Sequence, residues 1–270
     1  MKIGVDYALS MAPASPEAGA LFSRMTSPPD AARKTVIATL IDALKRAGIW
    51  KKLDCLYIMA AHSAQAARLN WVADRYNLTA VANPAFTVDR GYAGDGIAAY
   101  LNTNFTPATA AGARYANGNA HVGVWSFTPE SIPGVTELGG FEGSLSRRTT
   151  LACRNGGSAL MRINLNGTVS SISLGGADAA AHLVLTTPNT SSFSGFRNGA
   201  LLGTGTYPAP GDVPPVPLYL LATNVNNIAA AECSPRQLGV AHIGASLAAQ
   251  EVSHFHAALS AYLVSVGALQ

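Results

Sequence analysis

From Leu78 onward the chain is cut into short apolar or alternating runs by Asn-Pro, Gly-Asp-Gly, Asn-Gly, Gly-Gly and Pro-Pro steps, at intervals suited to the strands of a β-sandwich. Two steps are specific. Asn166-Gly167 lies between MRINL and TVSSISL, and Asn198-Gly199 between FSGFR and ALLGT. Asn and Gly tolerate the positive φ angles of a two-residue turn, so each predicts a β-hairpin. Residues 206–217 carry Pro208, Pro210, Pro214, Pro215 and Pro217. So many missing amide donors predict a loop or covered edge, with a strand resuming over 218–223.

Helical spacing brackets this region. Ser27 can cap, Pro28 suits a first helical position and Asp30 meets the helix dipole in the first turn. Val36, Ile37, Leu40, Ile41 and Leu44 then recur on one face until Gly48. Residues 53–60 (LDCLYIMA) read as a buried strand and 63–71 as a short helical turn. Near the other end Ser246 predicts a cap, followed by a stripe of Leu247, Val252, Phe255, Leu259, Tyr262, Leu263 and Val266 closing at Gly267. Residues 1–26, with Pro13, Pro16, Gly4 and Gly19 and no sustained period, predict an extended arm. The division is therefore an arm over 1–26 and one domain over 27–270, without tandem repeats.

A chain of 270 residues buries enough surface to need no metal or disulfide staple. Lys and Arg number 18 against 15 Asp and Glu, and no basic stretch is interleaved with aromatics, so no nucleic-acid partner is expected. Cys55, Cys153 and Cys233 lack metal-ligand or framework spacing and read as buried thiols. The first residues have no uninterrupted apolar core of a secretory signal, and no run of about 18 apolar residues predicts a membrane span. Synthesis in the cytosol is expected.

Glycoside hydrolysis needs two carboxylates across a fixed gap. Glu137 and Glu142, separated by two glycines, are the nearest approach and do not suit one strand face; Asp89 reads as an ion-pairing carboxylate and Asp95 as a turn carboxylate. His254 and His256 stand two apart and do not share a helix face, although Glu251 and His254 could; both read as polar residues of an outer face. His62, His121, His182 and His242 are scattered, and Ser144 and Ser158 lack a nucleophile-elbow frame. No catalytic residue, metal ligand or cofactor is assigned. The candidates for a ligand are Tyr207, as an aromatic platform, with Asn224, Asn226 and Asn227 supplying amides from a loop.

FTVDRGYAGDGIAAYLNTNFTP (residues 86–107), FRNG (196–199) and QLGVAHIGASLAAQEVSHFHAALSAYLVSVG (237–267) together resemble the concanavalin A-like, LamG-type jelly-roll proteins that tailed bacteriophages and prophages encode as virion proteins. The similarity runs over roughly 27 to 270. Gly91, Gly94, Gly96 and Gly244 supply its close turns and approaches. The resemblance implies a mainly β jelly-roll sandwich flanked by two amphipathic helices, located in the virion as a tail, fibre or capsid-decorating subunit. Partners would be other virion proteins and further copies of the chain, with a host-surface glycan as a further ligand. The alternative is a carbohydrate-binding receptor-recognition module of a tail fibre; a glycan hydrolase ranks last.

Overall fold

The computed structural model describes residues 15–143, 147–155, 158–165, 174–175, 180–206 and 212–270. Its helices are α1 (Pro16–Phe22), α2 (Ala31–Arg46) and α3 (Ala249–Ser265). The strands of the first half are β1 (Leu53–Ile58), β2 (Thr79–Val81), β3 (Ala85–Thr87), β4 (Gly91–Ala93), β5 (Tyr100–Asn102), β6 (Ala120–Ser126), β7 (Leu138–Phe141) and β8 (Arg148–Asn155). Those of the second half are β9 (Ser158–Leu165), β10 (Leu174–Gly175), β11 (Ala181–Thr187), β12 (Ser192–Arg197), β13 (Ala200–Thr206), β14 (Tyr219–Leu220), β15 (Thr223–Val225), β16 (Ala229–Ala231) and β17 (Gln237–Gly244).

They form two sheets. The first runs β13-β12-β11-β6-β17-β4-β3, with β1 also on β17; the second runs β10-β9-β8-β7-β14-β5-β2, with β15 and β16 beside β7. β11 and β6 meet β8 across the interior, where Val122, Val124, Leu183, Leu185 and Leu151 are buried. One edge of β17 is shared by β4 and β1, Leu238 facing Tyr92 and Gly244 facing Leu53. A side chain at Gly91 would overlap the Leu238 carbonyl, and its φ of +93° suits glycine alone. The β12–β13 hairpin turns at Asn198 and Gly199 with φ of 49° and 80°, as predicted. The Asn166-Gly167 turn lies outside the described residues.

The helices cover the outer face of the first sheet. Val252, Phe255, Leu259, Tyr262 and Leu263 of α3 are buried, each contributing on the order of 2 kcal/mol relative to exposure. α2 packs on α3 through Ile37, Leu40, Ile41 and Leu44, and the Tyr262 hydroxyl donates to the Ala60 carbonyl at 3.2 Å. Asp89, in a left-handed turn, pairs with both terminal nitrogens of Arg33 at 2.7 and 2.9 Å, which ties α2 to the β3–β4 turn.

Local details correct the sequence reading. The α2 cap is Asp30, which accepts the Arg33 amide at 2.7 Å, whereas the Ser27 carbonyl bonds His62 Nε2 at 2.8 Å. α3 is closed by Glu251 reaching back to the Ala248 amide at 2.7 Å, while Ser246 donates its hydroxyl to Asn119 at 2.8 Å. Residues 16–22 are not extended: Ala18 and Leu21 bury one face of a short helix against α2, and Glu17 pairs with Lys45 at 2.7 Å. The run 218–223 is not one strand, because Leu221 has φ of +66° and splits it into β14 and the start of β15.

Candidate functional site

The outer face of the first sheet is set by register. His182 of β11 and Val240 of β17 lie opposite Trp125 of β6, and Val184 and His242 lie opposite Gly123. These positions, with His121 two residues before Gly123, face α3. Gly123 leaves the space that the His242 ring fills. The Trp125 ring stacks on His182 at 5.3 Å and on His256 of α3 at 5.1 Å.

At this end of the sheet a groove of about 430 Å³ opens to solvent, walled by Trp125, Phe127, Arg90, Asn198, His256 and the segment that follows α3, residues 267–270. Arg90 Nη1 donates to the Ala268 carbonyl at 2.7 Å, and the guanidinium lies 4.4 Å from the Phe127 ring. No described carboxylate pairs with Arg90. The Asn198 side-chain oxygen accepts the His182 amide at 2.9 Å and its backbone N–H donates to the His182 carbonyl at 2.8 Å, so the hairpin tip is held on β11. Asn198 is exposed and lines the groove, and its side-chain NH2 is the donor it has left to offer. A guanidinium and an amide beside aromatic rings form a set of hydrogen-bond donors with an apolar floor, which suits a hydroxylated ligand with oxygen acceptors.

Beneath α3 lies a cluster the sequence did not assemble. His121, His182 and His242 are fully buried, and His182 Nε2 and His242 Nε2 are 2.9 Å apart. His121 Nδ1 donates to the Ala245 carbonyl at 2.5 Å. His121 Nε2, His182 Nδ1, His242 Nδ1 and His256 Nδ1 are buried without a hydrogen-bond partner. Burial lowers all four: His182 to about 3, with His256 and His121 adding to the effect, and His121 to about 4 against its bond to Ala245. His242 is pushed well below the ordinary imidazole value by burial and its neighbours, and His256 is lowered by burial. His121, His182 and His242 occupy face-alternating strand positions and His256 a helical one, and only long-range pairing makes them neighbours.

The sequence candidates fare differently. Asn224 is buried, its amide donating to the Pro217 carbonyl at 2.9 Å and to Asn227 Oδ1 at 3.2 Å while its oxygen accepts the Asn227 amide at 3.0 Å. Asn226 and Asn227 form the left-handed β15–β16 turn, and Asn226 Oδ1 accepts the Gly143 amide. The three asparagines therefore build a turn. Tyr207 lies outside the described residues. Glu137 is fully buried, paired with Arg236 at 2.9 Å, and accepts Ser234 Oγ at 2.7 Å and the Cys153 amide at 2.5 Å; Glu142 pairs with Arg147 at 3.0 Å. Asp95 accepts the amides of residues 97, 98 and 99 at 2.8 Å, with Ala99 the largest influence, which holds its carboxyl down to about 2. Glu251 is taken by Lys52 at 2.7 Å, and His254 is exposed. Among the described residues no group of three or more His, Cys, Asp or Glu side chains is placed to hold a metal ion, and no helix is long and apolar enough to cross a membrane.

No family model matches the sequence, and no curated protein matches it. Solved structures do. The receptor binding domain of botulinum neurotoxin C/D mosaic serotype is 12% identical over 77% of this chain and 52% of its own, with a TM-score of 0.54. The botulinum neurotoxin serotype D binding domain is 11% identical over 78% and 52%, at 0.53. The binding domain of Paraclostridial Mosquitocidal Protein 1 is 10% identical over 77% and 52%, at 0.52. The chain spans about half the length of these structures. The likeness is one of fold: the chain is a mainly β jelly-roll sandwich of two sheets with helices toward both ends.

Proposed function

We propose that the chain is a binding module for carbohydrate or a glycosylated receptor, acting without turnover at the surface of a tailed-phage virion. The groove carries this reading: Arg90 and Asn198 present donors beside Phe127 and Trp125 at one end of the sandwich. The named binding domains of similar fold support it as analogy, and the phage setting rests on the sequence resemblance. The buried, fully engaged Glu137 argues against its use as a glycosidase acid. Binding to a glycan array tests the reading. Wild type is expected to give saturable signals that weaken roughly tenfold or more in Arg90→Ala, the scale of one lost charged hydrogen bond. A blank array, or equal binding by Arg90→Ala, would overturn it.

A second reading, assembly into the particle as a structural subunit with copies of itself, is favoured by β13. This edge strand of the first sheet has no charged residue or proline, and Leu201 and Leu202 are 56% and 39% exposed. Unguarded edges are templates for strand pairing. Sedimentation should then show oligomers that dissociate on Leu202→Lys; a monomer at all concentrations removes this reading.

A further inference from the structure

The surface between α3 and the first sheet is unusual in what it buries. Three imidazoles rise from three adjacent strands, a fourth descends from α3, and Phe255 lies 4.4 Å from His242 and 6.1 Å from His182. The charged groups facing the cluster are few. From α3, Glu251 is held by Lys52, which lies just before β1, and by the Ala248 amide, and His254 points outward. From the β3–β4 turn, Arg90 faces the groove side. From β11, Thr186 is engaged with the chain before α3 through the Leu247 amide at 2.9 Å. Among the described residues no carboxylate bonds an imidazole of the cluster.

The 2.9 Å contact between the two Nε2 atoms requires one ring to donate and the other to accept. Proton uptake by the accepting ring places N–H against N–H, and uptake at Nδ1 of His182 or His242 puts a charge beside Phe255 at a nitrogen with no hydrogen-bond partner among the described residues. A charged imidazole is accommodated only by reaching water, and water is reached by lifting α3. The same helix contributes His256 to the groove, and the segment after it contributes the Ala268 carbonyl that holds Arg90.

We propose that the histidine cluster is an acid-operated latch: proton uptake by His121, His182 and His242 frees α3 from the sheet and dismantles one wall of the groove, so that a ligand held near neutral pH is let go in acid. The ligand half of this statement rests on the proposed binding function; the release of α3 does not.

Hydrogen exchange over residues 249–265, corrected for intrinsic chemistry, tests it on the intact chain without ligand. An imidazole charged when released and neutral when packed loses about tenfold per pH unit. Each of the three imidazoles should supply roughly fiftyfold between about pH 6.5 and about pH 4.5, so protection of α3 should fall at least a thousandfold. In His182→Phe/His242→Leu, which replaces the facing pair by apolar groups of similar size, the fall should shrink to the roughly fiftyfold that His121 alone supplies. Equal protection of wild type at both pH values, or an equal loss in the double variant, overturns the latch. Should the variant not fold, imidazole resonances of wild type decide: proton uptake coincident with α3 opening supports the latch, and opening without uptake overturns it. A protein that releases α3 in acid but binds no glycan at neutral pH keeps the latch and overturns the groove.

Discussion

Two buried polar clusters sit in this sandwich, and they obey opposite rules. Glu137 and Arg236 are both fully buried, yet the carboxylate has three donors, and Arg236 Nη2 reaches the Glu130 carbonyl at 2.8 Å. The pair joins the start of β7 in one sheet to the start of β17 in the other. The three histidines under α3 are as deeply buried, yet one ring nitrogen of each lacks a partner. A charge that must be buried is kept by surrounding it with complementary groups, whereas a group that can give up its charge is kept by losing its proton. The first solution clamps two sheets; the second makes a helix conditional on pH.

The largest expected effect falls on the clamp. Glu137→Ala leaves Arg236 buried without its carboxylate and should cost about 3 to 5 kcal/mol in urea unfolding near neutral pH. A loss under about 1 kcal/mol would erase the contrast between the clusters. Next comes the pH slope. The folded imidazoles stay neutral where the unfolded chain binds protons, so stability is complete above about pH 6.5 and falls as pH drops toward the folded values of about 4 for His121 and about 3 for His182. His182→Phe should remove about 1.4 kcal/mol per pH unit of that slope, some 2 to 3 kcal/mol by about pH 4.5, and Glu137→Ala should leave the slope unchanged.

A smaller effect is expected at Asn224. Its replacement by Ala strands the Pro217 carbonyl and the Asn227 amide, costing roughly 1 to 3 kcal/mol while any glycan affinity holds steady. A lost affinity with unchanged stability would restore the loop as a binding site. The smallest change, Asp30→Ala, removes one cap at about 1 kcal/mol and should alter neither the clamp nor the pH slope, which makes it the reference for both.

Much of the architecture was legible from local pattern. The stripes of α2 and α3, the strand at 53–60 and the Asn198-Gly199 hairpin all depend on residues within one or two turns of each other. Caps were misplaced by two or three residues because Ser27 and Ser246 have the right chemistry but tertiary partners elsewhere, His62 and Asn119. The α1 helix was missed because seven residues of mixed small side chains show no period; its burial against α2 decides its form. The groove was not legible at all. Arg90, Trp125, Asn198 and His256 come from four separate elements, and nothing near any of them in the chain reports the others. The asparagine cluster misled for the opposite reason, since Asn is favoured equally by sugar contacts and by left-handed turns.

The placement of β17 has a consequence in time. It is flanked by β6, β4 and β1, and α3 follows it, closing on Lys52 and Ala60 across 199 and 202 residues of chain. Before residues 237–265 are made, β1 and β6 lack the strand that pairs with both, and His121 and His182 lack the helix that covers them. Contacts of such long sequence separation make folding slow. The order of synthesis thus leaves the first sheet waiting on β17, and a nascent chain held short of it would present the unpaired edges of β1 and β6 to whatever chaperone is nearest.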